Sequence, residues 1–450
     1  MVKGKGIIKT ELPVAITGAG LVGSLLAIFL ARKGFKVEVF EKRADLREHK
    51  KDDGRSINLA ISHRGLSALR ELDLEEKVLE QCIPMKGRMM HSEEGELTFQ
   101  PYGKESDLIC SVSRAELNRI LITEAEKQSG VRFHFENKAE EFLPAEKRIK
   151  LSGKGYDECF YEAIIATDGA FSTIRKSMEQ LGMVSSREDH LSHDYKELVM
   201  PAVKKGKHAM EKNALHIWPR KQYMLIALPN LDGSFTCTLF LPKEGEYSFS
   251  NLDSNEKINT FFESHFPDAK ALLPDLTEQF QQFPVSSLHT LYAWPWSSGQ
   301  ALLMGDAAHA IVPFYGQGMN AGFEDVSVFN RMMEQSNSWK ECFIRFQQQR
   351  KPNTDAIAKM ALNNFIEMRD LVADEKFLLR KKIEAALHQA YPDYLNQYAM
   401  VTFSSTPYLE AQKKGEQHDQ MMKDILAIDG IDNFQEPEVW AKVVKRFERG

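Results

Sequence analysis

The chain has 450 residues, of which 43% are hydrophobic, so it is too long for one small core and we expect two closely packed domains. Its formal net charge of -6 and its lack of a sustained basic run argue against nucleic acid as the main partner, because phosphate contacts need a basic face. The five cysteines are scattered without CxxC or metal-ligand spacing, which predicts reduced thiols, a cytoplasmic protein and no metal site.

The first predicted elements form a dinucleotide-binding unit. A Gly-x-Gly-x-x-Gly turn follows an apolar strand at 12–17 and leads into a helix at 24–33, an arrangement that presents helix amides to a pyrophosphate. A second strand ends at Glu41, where this fold places an acid that accepts hydrogen bonds from ribose hydroxyls. The alternative is a chance glycine turn between an ordinary strand and helix. The predicted cofactor contacts here are Gly18, Gly20, Leu21, Val22, Gly23, Glu41 and Arg43.

One stretch of this region has the character of a membrane segment. Residues 14–31 carry no charge and follow several lysines, a pattern that also occurs in signal peptides and membrane spans. The glycines and the strand that follows favour the nucleotide fold instead. No other stretch approaches spanning length, so the sequence predicts a soluble protein without a membrane span.

The nucleotide domain resumes after an excursion. Helical spacing over 111–126 places Arg114 at a helix start, from which it could reach the pyrophosphate, with a surface salt bridge as the alternative. A later buried strand ends at Asp168, which together with Arg175 could contact the cofactor and a transient nicotinamide nucleotide. A second Gly-x-Gly-x-x-Gly turn is absent, so no dedicated NADPH domain is expected.

The character of the chain changes at about residue 191. The segments 223–228 and 235–240 are apolar runs separated by turn residues, which predicts an antiparallel hairpin in a sheet domain. Beyond residue 339 the pattern is helical to the end, with an interruption at 391–393.

Between these two regions the nucleotide domain returns, with a short buried strand at 301–304 that leads into Gly305 and Asp306. A carboxylate here can accept hydrogen bonds from a ribityl chain and a pyrophosphate water, although a helix N-cap is the alternative for Asp306 alone. The segment 313–320 offers backbone amides and a helix N-terminus to the pyrimidine edge of an isoalloxazine. The two ends of the sequence thus bracket one cofactor and predict a flavin enzyme that binds FAD. Further predicted cofactor contacts are Arg114, Asp168, Asp306, Pro313, Gly316, Gln317, Gly318, Met319 and Asn320.

These elements together predict an α/β fold in which an FAD-binding Rossmann-like domain is interleaved with an antiparallel-sheet substrate domain and followed by C-terminal helices. We expect the FAD-binding domain in three parts, at residues 1–72, 111–190 and 301–338. We expect the substrate domain to comprise residues 73–110 and 191–300, and the helical region to comprise residues 339–450.

Several motifs of the chain resemble those of a known family. The Gly18-x-Gly20-x-x-Gly23, Asp168-Gly169 and Gly305-Asp306 motifs resemble the signature set of single-component flavoprotein aromatic hydroxylases, which share the fold of para-hydroxybenzoate hydroxylase. Their order and spacing cover the chain to about residue 330. Longer segments narrow the resemblance to the kynurenine 3-monooxygenase family, and these are Gly54 to Ser62, Arg88-Met89-Met90-His91, Pro101-Tyr102-Gly103, His216-Ile217-Trp218-Pro219-Arg220 and residues 224–230.

The resemblance implies a cofactor, co-substrates and a reaction. The implied cofactor is FAD, and the implied co-substrates are NADPH and dioxygen. The implied reaction is the hydroxylation of L-kynurenine to 3-hydroxykynurenine through a flavin C4a-hydroperoxide. It further implies that Arg88 and Tyr102 hold the amino-acid carboxylate, helped by Asn364 and Tyr398, with Tyr408 as the alternative tyrosine. The chain resembles the bacterial members, which lack the C-terminal membrane anchor of the mitochondrial ones.

The chemistry of this substrate agrees with the residue types. A planar guanidinium can bind a carboxylate bidentately, and an apolar slot can hold the ring, although plain sheet core is the alternative for the apolar residues. The aniline nitrogen activates the ring carbon ortho to it, so no catalytic acid or base is required and the histidines stay unassigned. The predicted slot residues are Leu215, Ile217, Met224, Ile226, Leu228, Phe240, Pro313, Phe314 and Met368.

Two other functions remain open from the sequence. A different ring hydroxylase of this fold would keep the FAD motifs but need another anchor in place of Arg88 and Tyr102. A non-enzymatic member of the wider fold, like the Rab escort and dissociation-inhibitor proteins, would use the scaffold to bind protein and need not retain flavin. The Gly305-Asp306 segment argues against that second function.

Overall fold

The structure is a computed structural model of the chain, and it describes residues 7, 10–48, 58–367, 375–391 and 393–448. The strands are β1 (Val14–Thr17), β2 (Val37–Glu41), β3 (Asn58–Ile61), β4 (Cys82–Met85), β5 (Gly87–His91), β6 (Leu97–Pro101), β7 (Ile109–Ser113), β8 (Val131–Phe135), β9 (Asn137–Leu143), β10 (Arg148–Gly153), β11 (Glu158–Phe160), β12 (Ala163–Ala166), β13 (Ser185–Met200), β14 (Leu215–Arg220), β15 (Tyr223–Pro229), β16 (Phe235–Pro242), β17 (Val285–Trp294), β18 (Ser297–Ser298) and β19 (Ala301–Leu303). The helices are α1 (Leu21–Arg32), α2 (His63–Arg70), α3 (Glu75–Leu79), α4 (Arg114–Glu126), α5 (Thr173–Gln180), α6 (Asn255–His265), α7 (Pro267–Lys270), α8 (Leu276–Gln282), α9 (Asp306–His309), α10 (Gly318–Glu334), α11 (Trp339–Ile366), α12 (Glu375–Ala390), α13 (Gln397–Thr402), α14 (Tyr408–Leu426) and α15 (Pro437–Phe447).

The chain divides into two compact units, each built from three segments. The first unit contains Met1–Ile83, Cys110–Leu191 and Ser287–Ala358, and the second contains Pro84–Ile109, Ser192–Ser286 and Lys359–Gly450. The segments proposed from the sequence as 73–110 and 339–450 are each shared between the units, because residues 73–83 and 339–358 cluster with the nucleotide-type sheet of the first.

The first unit is centred on a sheet of strand order β18-β19-β12-β1-β2-β8. The five strands from β19 to β8 run parallel, and β18 pairs antiparallel with β19 at the edge. Strands β1, β12 and β19 are apolar or nearly so and buried at every position, as expected for parallel strands covered on both faces. Parallel strands end at the same edge of a sheet, so the residues that follow β1, β2, β12 and β19 meet there.

The second unit is centred on a sheet in which β13, β16, β15, β14, β5 and β6 are neighbours in that order. Side chains alternate between its two faces, and the strand register fixes which residues share a face. We call one side the Arg88 face, defined by Arg88, Met90, Leu215, Ile217, Met224, Ile226, Leu228 and Phe240. The other, the helix face, is defined by Met89, His91, His216, Trp218, Leu225, Ala227 and Leu239.

The helix face forms the main core of the second unit. Trp218, Leu225 and Leu239 are fully buried there against aromatic and aliphatic side chains of α6 to α8, such as Phe262 and Phe266. A separate core joins the C-terminal helices α12, α14 and α15, and its fully buried members are Ile383, Leu387, Met422, Ile425 and Val443. The mixed α/β fold with a Rossmann-like domain, an interleaved sheet domain and C-terminal helices is therefore confirmed. The sheet of the second unit is antiparallel except for one parallel pair, β5 with β14.

Element boundaries differ from the sequence-based expectations at several places. Strand β1 begins at Val14 rather than at residue 12, and α4 begins at Arg114 rather than at residue 111, because Ile109–Ser113 form strand β7. Helix α1 begins at Leu21 rather than at residue 24, because Gly20 is its N-cap and the glycine turn forms the first helical turn. The long strand β13 begins at Ser185, before the expected change of character at residue 191, since its polar first half hides the strand periodicity.

Candidate functional site

Several predicted cofactor residues of the first unit lie at the ends of four neighbouring parallel strands. Gly18 follows β1, Glu41 ends β2, Asp168 follows β12, and Gly305 with Asp306 follows β19. Ligands of open α/β sheets bind in the crevice outside the carboxyl ends of the strands. The fold thus collects at one sheet edge four motifs that are far apart in the sequence.

The glycine turn after β1 has no room for side chains at two of its three glycines. Gly18 has a φ of +95°, and a Cβ there would lie 2.8 Å from the backbone oxygen of Thr167. A Cβ on Gly23 would lie only 2.1 Å from the backbone oxygen of Gly18, whereas one on Gly20 would meet nothing within 4 Å. The turn is therefore packed tightly against the β12 end on one side and open at Gly20 on the other. Leu21 and Val22 begin the helix, and Leu21 is buried.

Glu41 is held by the backbone at the end of β2. One carboxylate oxygen accepts a hydrogen bond from the amide of Ala19 at 2.9 Å, and the other accepts one from the amide of Arg43 at 3.0 Å. The carboxylate is thereby fixed beside the glycine turn, where a ribose is expected. The Arg43 and Arg114 side chains are exposed, so both predicted cation contacts are free to turn toward an anion.

Asp168 uses half of its carboxylate to cap a helix. Its Oδ2 accepts a hydrogen bond from the amide of Thr173 at 2.8 Å, at the start of α5. Its Oδ1 is buried and has no hydrogen-bond partner among the described residues. Burial raises the pKa of Asp168, against hydrogen bonds from Ser172 and the Thr173 amide that lower it. An unpaired buried acceptor of this kind calls for a donor from a ligand.

Asp306 does not cap the helix that it begins. The N-cap of α9 is Gly305, with a φ of +60°, and Asp306 is the first helical residue with an exposed side chain. The N-cap alternative raised by the sequence is therefore wrong, and the carboxylate is left free at the sheet edge. A Cβ on Gly305 would approach Val22 at 3.2 Å, so this turn packs directly on the first helical turn of α1.

The segment 313–320 turns sharply and then begins helix α10. Pro313–Tyr315 is a 3-10 turn, Gly316 follows with a φ of +64°, and Gln317 is the N-cap of α10. Pro313 is exposed and Phe314 is buried. The first helical turn, with Gly318, Met319 and Asn320, has its amides pointing out of the helix end as the sequence predicts.

Asn320 anchors this segment through its side chain. The Asn320 amide accepts a hydrogen bond from the Ser62 amide at 2.9 Å and donates to the backbone oxygens of Ala60 and Gly316 at 2.9 and 2.8 Å. Its side chain is fully buried and fully committed to these bonds. Only its backbone can contact a ligand, so the side chain positions the turn.

A buried charge cluster behind the Gly305 turn was not predicted from the sequence. Asp325 accepts hydrogen bonds from the Gly305 amide at 3.2 Å, from His309 Nε2 at 2.6 Å and from Arg350 Nε at 2.7 Å. Burial alone would raise the pKa of Asp325, but His309 and Arg350 hold it below its usual range. Glu324 joins the cluster by binding Arg350 and Arg64. Adjacent acids on a helix are an ordinary surface pattern, so only the fold reveals their burial.

The second unit places Arg88 among aromatic rings. The Arg88 guanidinium carbon lies 4.7 Å from the ring centre of Tyr398 and 5.9 Å from that of Tyr102, and these two rings stack 5.7 Å apart. Burial alone would lower the pKa of Arg88, but Tyr398, Tyr102 and Glu367 outweigh it and raise the pKa. Burial raises the pKa of Tyr102 well above its usual value. Arg88 is thus a cation and Tyr102 a neutral hydroxyl at any ordinary pH.

Two polar atoms of this cluster are buried and unpaired. Neither Arg88 Nε nor the Tyr102 hydroxyl has a hydrogen-bond partner among the described residues. Both are donors, and a buried donor left unpaired costs about 1–3 kcal/mol. A carboxylate supplied by a ligand would satisfy both at once.

The predicted apolar slot residues of the second unit share the face that carries Arg88. The register pairs Leu215 with Arg88, Ile217 with Ile226, and Met224 with Phe240. The five apolar residues of these pairs therefore point to the Arg88 face. Leu228 points to the same face, because it lies two residues after Ile226 in β15. Pro313 and Phe314 belong to the first unit. Met368 lies outside the described residues.

The helical contacts also distinguish the two candidate tyrosines. Tyr398, in α13, is the one whose ring lies over Arg88, whereas Tyr408 begins α14 and is fully buried. Asn364 is 8% exposed near the end of α11, and the next residue, Phe365, makes an edge contact with the ring of His193 at 5.0 Å. His193 lies on the Arg88 face of β13, so this end of α11 packs over that face.

Other features of the described ranges concern metals, thiols and membranes. No group of three or more His, Cys, Asp or Glu side chains within these ranges could hold a metal ion. The five cysteines Cys82, Cys110, Cys159, Cys237 and Cys342 are all free thiols. In the part of the chain that the structure describes, no helix combines the length and apolar character needed to cross a bilayer.

Comparisons with known proteins place these sites in context. The sequence profile of a family described as FAD binding domain matches residues 11–333. Curated relatives named kynurenine 3-monooxygenase include those of Myxococcus xanthus, 47% identical over 92% of this chain and 90% of the relative, and of Flavobacterium johnsoniae, 45% identical over 98% and 100%. The relative of that name from Dictyostelium discoideum is 42% identical over 94% of each chain.

Solved structures support the fold at much lower identity. The structure of 2-methyl-3-hydroxypyridine-5-carboxylic acid oxygenase superposes with a TM-score of 0.67 at 19% identity, covering 84% of this chain and 98% of the other. The structure of PqsL from Pseudomonas aeruginosa in complex with 2-aminobenzoylacetate superposes with a TM-score of 0.65 at 16% identity, covering 80% and 97%.

Proposed function

Since this chain belongs to the kynurenine 3-monooxygenase family, we propose that it hydroxylates L-kynurenine to 3-hydroxykynurenine, with FAD as its bound cofactor. The reaction consumes NADPH, a proton and dioxygen, and it yields NADP+ and water beside the hydroxylated product. The observation that carries the substrate assignment is the pair of buried donors, Arg88 Nε and the Tyr102 hydroxyl, which have no hydrogen-bond partner among the described residues. Arg88 shares its sheet face with Leu215, Ile217 and further apolar side chains. We also propose that the enzyme works in the cytoplasm, which agrees with its five free thiols.

The first unit fits FAD. The glycine turn admits close approach of a pyrophosphate, and Glu41 is fixed at the ribose position. Asp168 Oδ1, which has no hydrogen-bond partner among the described residues, can accept a hydrogen bond from the cofactor. Asp306 would bind the ribityl side, and the amides of 316–320 would bind the pyrimidine edge. When bound and reduced by NADPH, FAD supplies the activation of dioxygen and the transfer of one oxygen atom.

The second unit would orient the substrate through its amino-acid end. Arg88 offers a rigid fork of donors that matches a carboxylate, and such a charge-assisted pair is strong when water is excluded. The raised pKa of Tyr102 keeps its hydroxyl proton in place, so Tyr102 can only donate to the same carboxylate. Tyr398, stacked on Tyr102 and over Arg88, holds both donors in position. Asn364 would complete the polar end from α11.

The apolar side chains on the Arg88 face would hold the aromatic ring. Ile217, Met224, Ile226 and Phe240 point to the same face of three neighbouring strands, and their apolar side chains would pack against the ring. The ring needs no protein base, because its own amino group donates electron density to the carbon that is hydroxylated. The proton displaced from that carbon can pass to water, so the tasks of this chain are orientation and exclusion of water.

The first experiment measures NADPH oxidation by the purified, FAD-loaded protein in air, with and without L-kynurenine, followed by mass analysis of the product. We expect an L-kynurenine-dependent rate and a product heavier by one oxygen atom. Rapid NADPH loss that yields only hydrogen peroxide would show that L-kynurenine is not the substrate. A colourless protein without turnover would show that the protein is not a flavin enzyme. D-Kynurenine is the matched control, because it has the same ring and places its carboxylate differently.

A further inference from the structure

A chain of histidine rings lies behind the strand that carries Arg88. His91 and His216 are part of the sequence segments that resemble the family, yet neither contacts the Arg88 face, because strand alternation puts both on the helix face. His91 is 4% exposed and His216 is 1% exposed. The proposed reaction has no use for them as acid or base.

The two rings connect two acceptors through an unbroken line of hydrogen bonds. His91 Nδ1 lies 2.7 Å from Oδ2 of Asp268, and His91 Nε2 lies 2.9 Å from Nδ1 of His216. His216 Nε2 lies 2.8 Å from the backbone oxygen of Glu211. Trp218 Nε1 donates to Asp268 at 2.9 and 2.8 Å, so that carboxylate is anchored on both oxygens.

Counting protons along this line fixes the charge of the pair. The two outer nitrogens each face an oxygen that can only accept, so each must carry a hydrogen. The two inner nitrogens face each other, and two lone pairs at 2.9 Å would repel, so one further hydrogen must lie between them. Two neutral imidazoles carry only two N–H hydrogens in total. The line needs three, which leaves one net positive charge on the two rings.

We propose that His91 and His216 share this third proton, with Asp268 as its counter-ion, and that the charged cluster is a positioning device for Arg88. Burial lowers the pKa of His216 to about 4, which agrees with His216 as the neutral member of the pair. Burial alone would raise the pKa of Asp268, but His91 and Trp218 lower it to about 2, which agrees with an ionised counter-ion.

The cluster lies at the end of β5, the strand that carries Arg88. Arg220 donates to the backbone oxygens of His91 at 3.0 Å and Ser92 at 3.1 Å, so the same strand end is also held through its backbone. Arg88 is three residues earlier in a strand of five, and its Cα pairs with Leu215, next to His216. A change in the ring pair therefore acts on both strands that place the guanidinium, over three residues along β5 and over one residue, from His216 to Leu215, along β14.

Other charged groups around the cluster have their own partners. Arg220 also donates to the backbone oxygen of His265 at 2.7 Å, His265 binds the hydroxyl of Tyr223 at 2.9 Å, and Lys270 of α7 pairs with Glu263. The carboxylates of Glu93 and Glu94, after β5, act at longer range on Arg220, and Glu211, before β14, acts on His216. Asp268 is the acid in direct contact with the rings, so it is the counter-ion to test.

The first test measures the proton directly and needs no substrate. Histidine is labelled with 15N in the FAD-loaded protein, and the ring nitrogens are observed at about pH 8, above the ordinary histidine pKa of about 6.5. We expect one ring with both nitrogens protonated, assigned to His91 by its loss in His91→Gln, and one singly protonated ring that is lost in His216→Gln. If all rings are singly protonated at this pH in the folded protein, the shared proton is disproved.

The second test removes the counter-ion and keeps the shape. Asp268→Asn leaves an oxygen that accepts from His91 and Trp218, and we expect the doubly protonated ring to lose its proton at a pH lower by roughly one to three units, as when an adjacent opposite charge is lost. The KM for L-kynurenine should rise over the same pH interval, while kcat and bound FAD stay unchanged. The control is Asp275→Asn, an exposed acid without a capping bond, which should change neither.

The claim that the ring pair positions Arg88 rests on the proposed function. The two tests distinguish a failure of this claim from a failure of the proposed function. If the protein does not hydroxylate L-kynurenine, the 15N spectra still decide whether the proton is shared. If Asp268→Asn moves the ring titration but leaves the pH profile of KM unchanged, the rings share a proton and do not position Arg88. A parallel shift of both supports the whole proposal, and a rise of KM at every pH would indicate a merely structural role and disprove the device.

Discussion

The two units recognise their expected ligands in different ways. The first offers mainly backbone, with a glycine turn, helix ends and strand ends along one sheet edge, and its side chains Asn320 and Asp325 hold that backbone in place. The second offers side chains, with Arg88, Tyr102 and Tyr398 drawn from three separate stretches of chain. A dinucleotide has the same phosphates in every enzyme, and a backbone cradle suffices for it. A particular amino acid requires a particular set of side chains.

The largest expected effect tests the side-chain half of this comparison. Arg88→Ala should raise the KM for L-kynurenine by the equivalent of roughly 2–5 kcal/mol, since it removes a desolvated charge partner of the carboxylate. FAD content should stay normal, because the cofactor residues belong to the other unit. Arg88→Lys keeps the positive charge but loses the forked guanidinium, so its KM should lie between those of the unchanged protein and of Arg88→Ala. Steady-state kinetics would contradict the assignment if KM did not move in either variant.

The next effect tests the backbone half. Gly23→Ala brings a methyl group to 2.1 Å from the Gly18 oxygen, and overpacking of this kind costs roughly 1–3 kcal/mol. We expect weaker FAD binding, measured as the flavin absorbance per protein after gel filtration. Gly20→Ala is the comparison, since its new Cβ meets no protein atom within 4 Å and lies on the open side of the turn, where the pyrophosphate is expected. We expect urea unfolding of the FAD-free protein to become easier in Gly23→Ala and to stay unchanged in Gly20→Ala, and equal stabilities would show that the crowding at Gly23 does not matter.

Acid should weaken the second unit through His216. Burial lowers the pKa of His216 to about 4 in the folded protein, whereas the unfolded value is near 6.5, so the unfolded state binds more protons between these values. The contribution of His216 is therefore fully present above about pH 6.5 and is lost as the pH falls toward 4, by on the order of 3 kcal/mol. Urea unfolding at several pH values would show a flatter profile in His216→Gln, while the exposed His190→Gln should keep the original slope.

The smallest effect distinguishes the tyrosines. Tyr102→Phe should raise KM by about tenfold, the equivalent of one hydrogen bond to a charged group. Tyr398→Phe should have a smaller effect, because its ring stacking over Arg88 remains. Tyr408→Phe is the control and should leave KM unchanged. A larger change from Tyr408 than from Tyr398 would reverse the assignment.

The same contrast explains what could be predicted from sequence. Gly18, Glu41, Asp168 and Asp306 are found from short motifs, because the backbone geometry of a strand end demands particular residues in adjacent positions. The placement of Arg88 beside Tyr398 came only through a resemblance to a family, since nothing in the local pattern at residue 88 or 398 requires the other. The roles of Asp325 and of the His91 pair were not found, because burial and partners of a charged residue depend on the complete fold.

The division of the first unit into three segments has a consequence for its biosynthesis. Strand β12 pairs with β1 on one side and with β19 on the other, so the central sheet cannot be completed until residues 301–303 have left the ribosome. The glycine turn is made at the start of translation, but Gly305 and α10, which pack on Val22, arrive almost three hundred residues later. Such long-range pairing slows folding, and the early segments stay exposed meanwhile. Flavin capture is therefore a late event, and a nascent chain that stops before α10 cannot retain its cofactor.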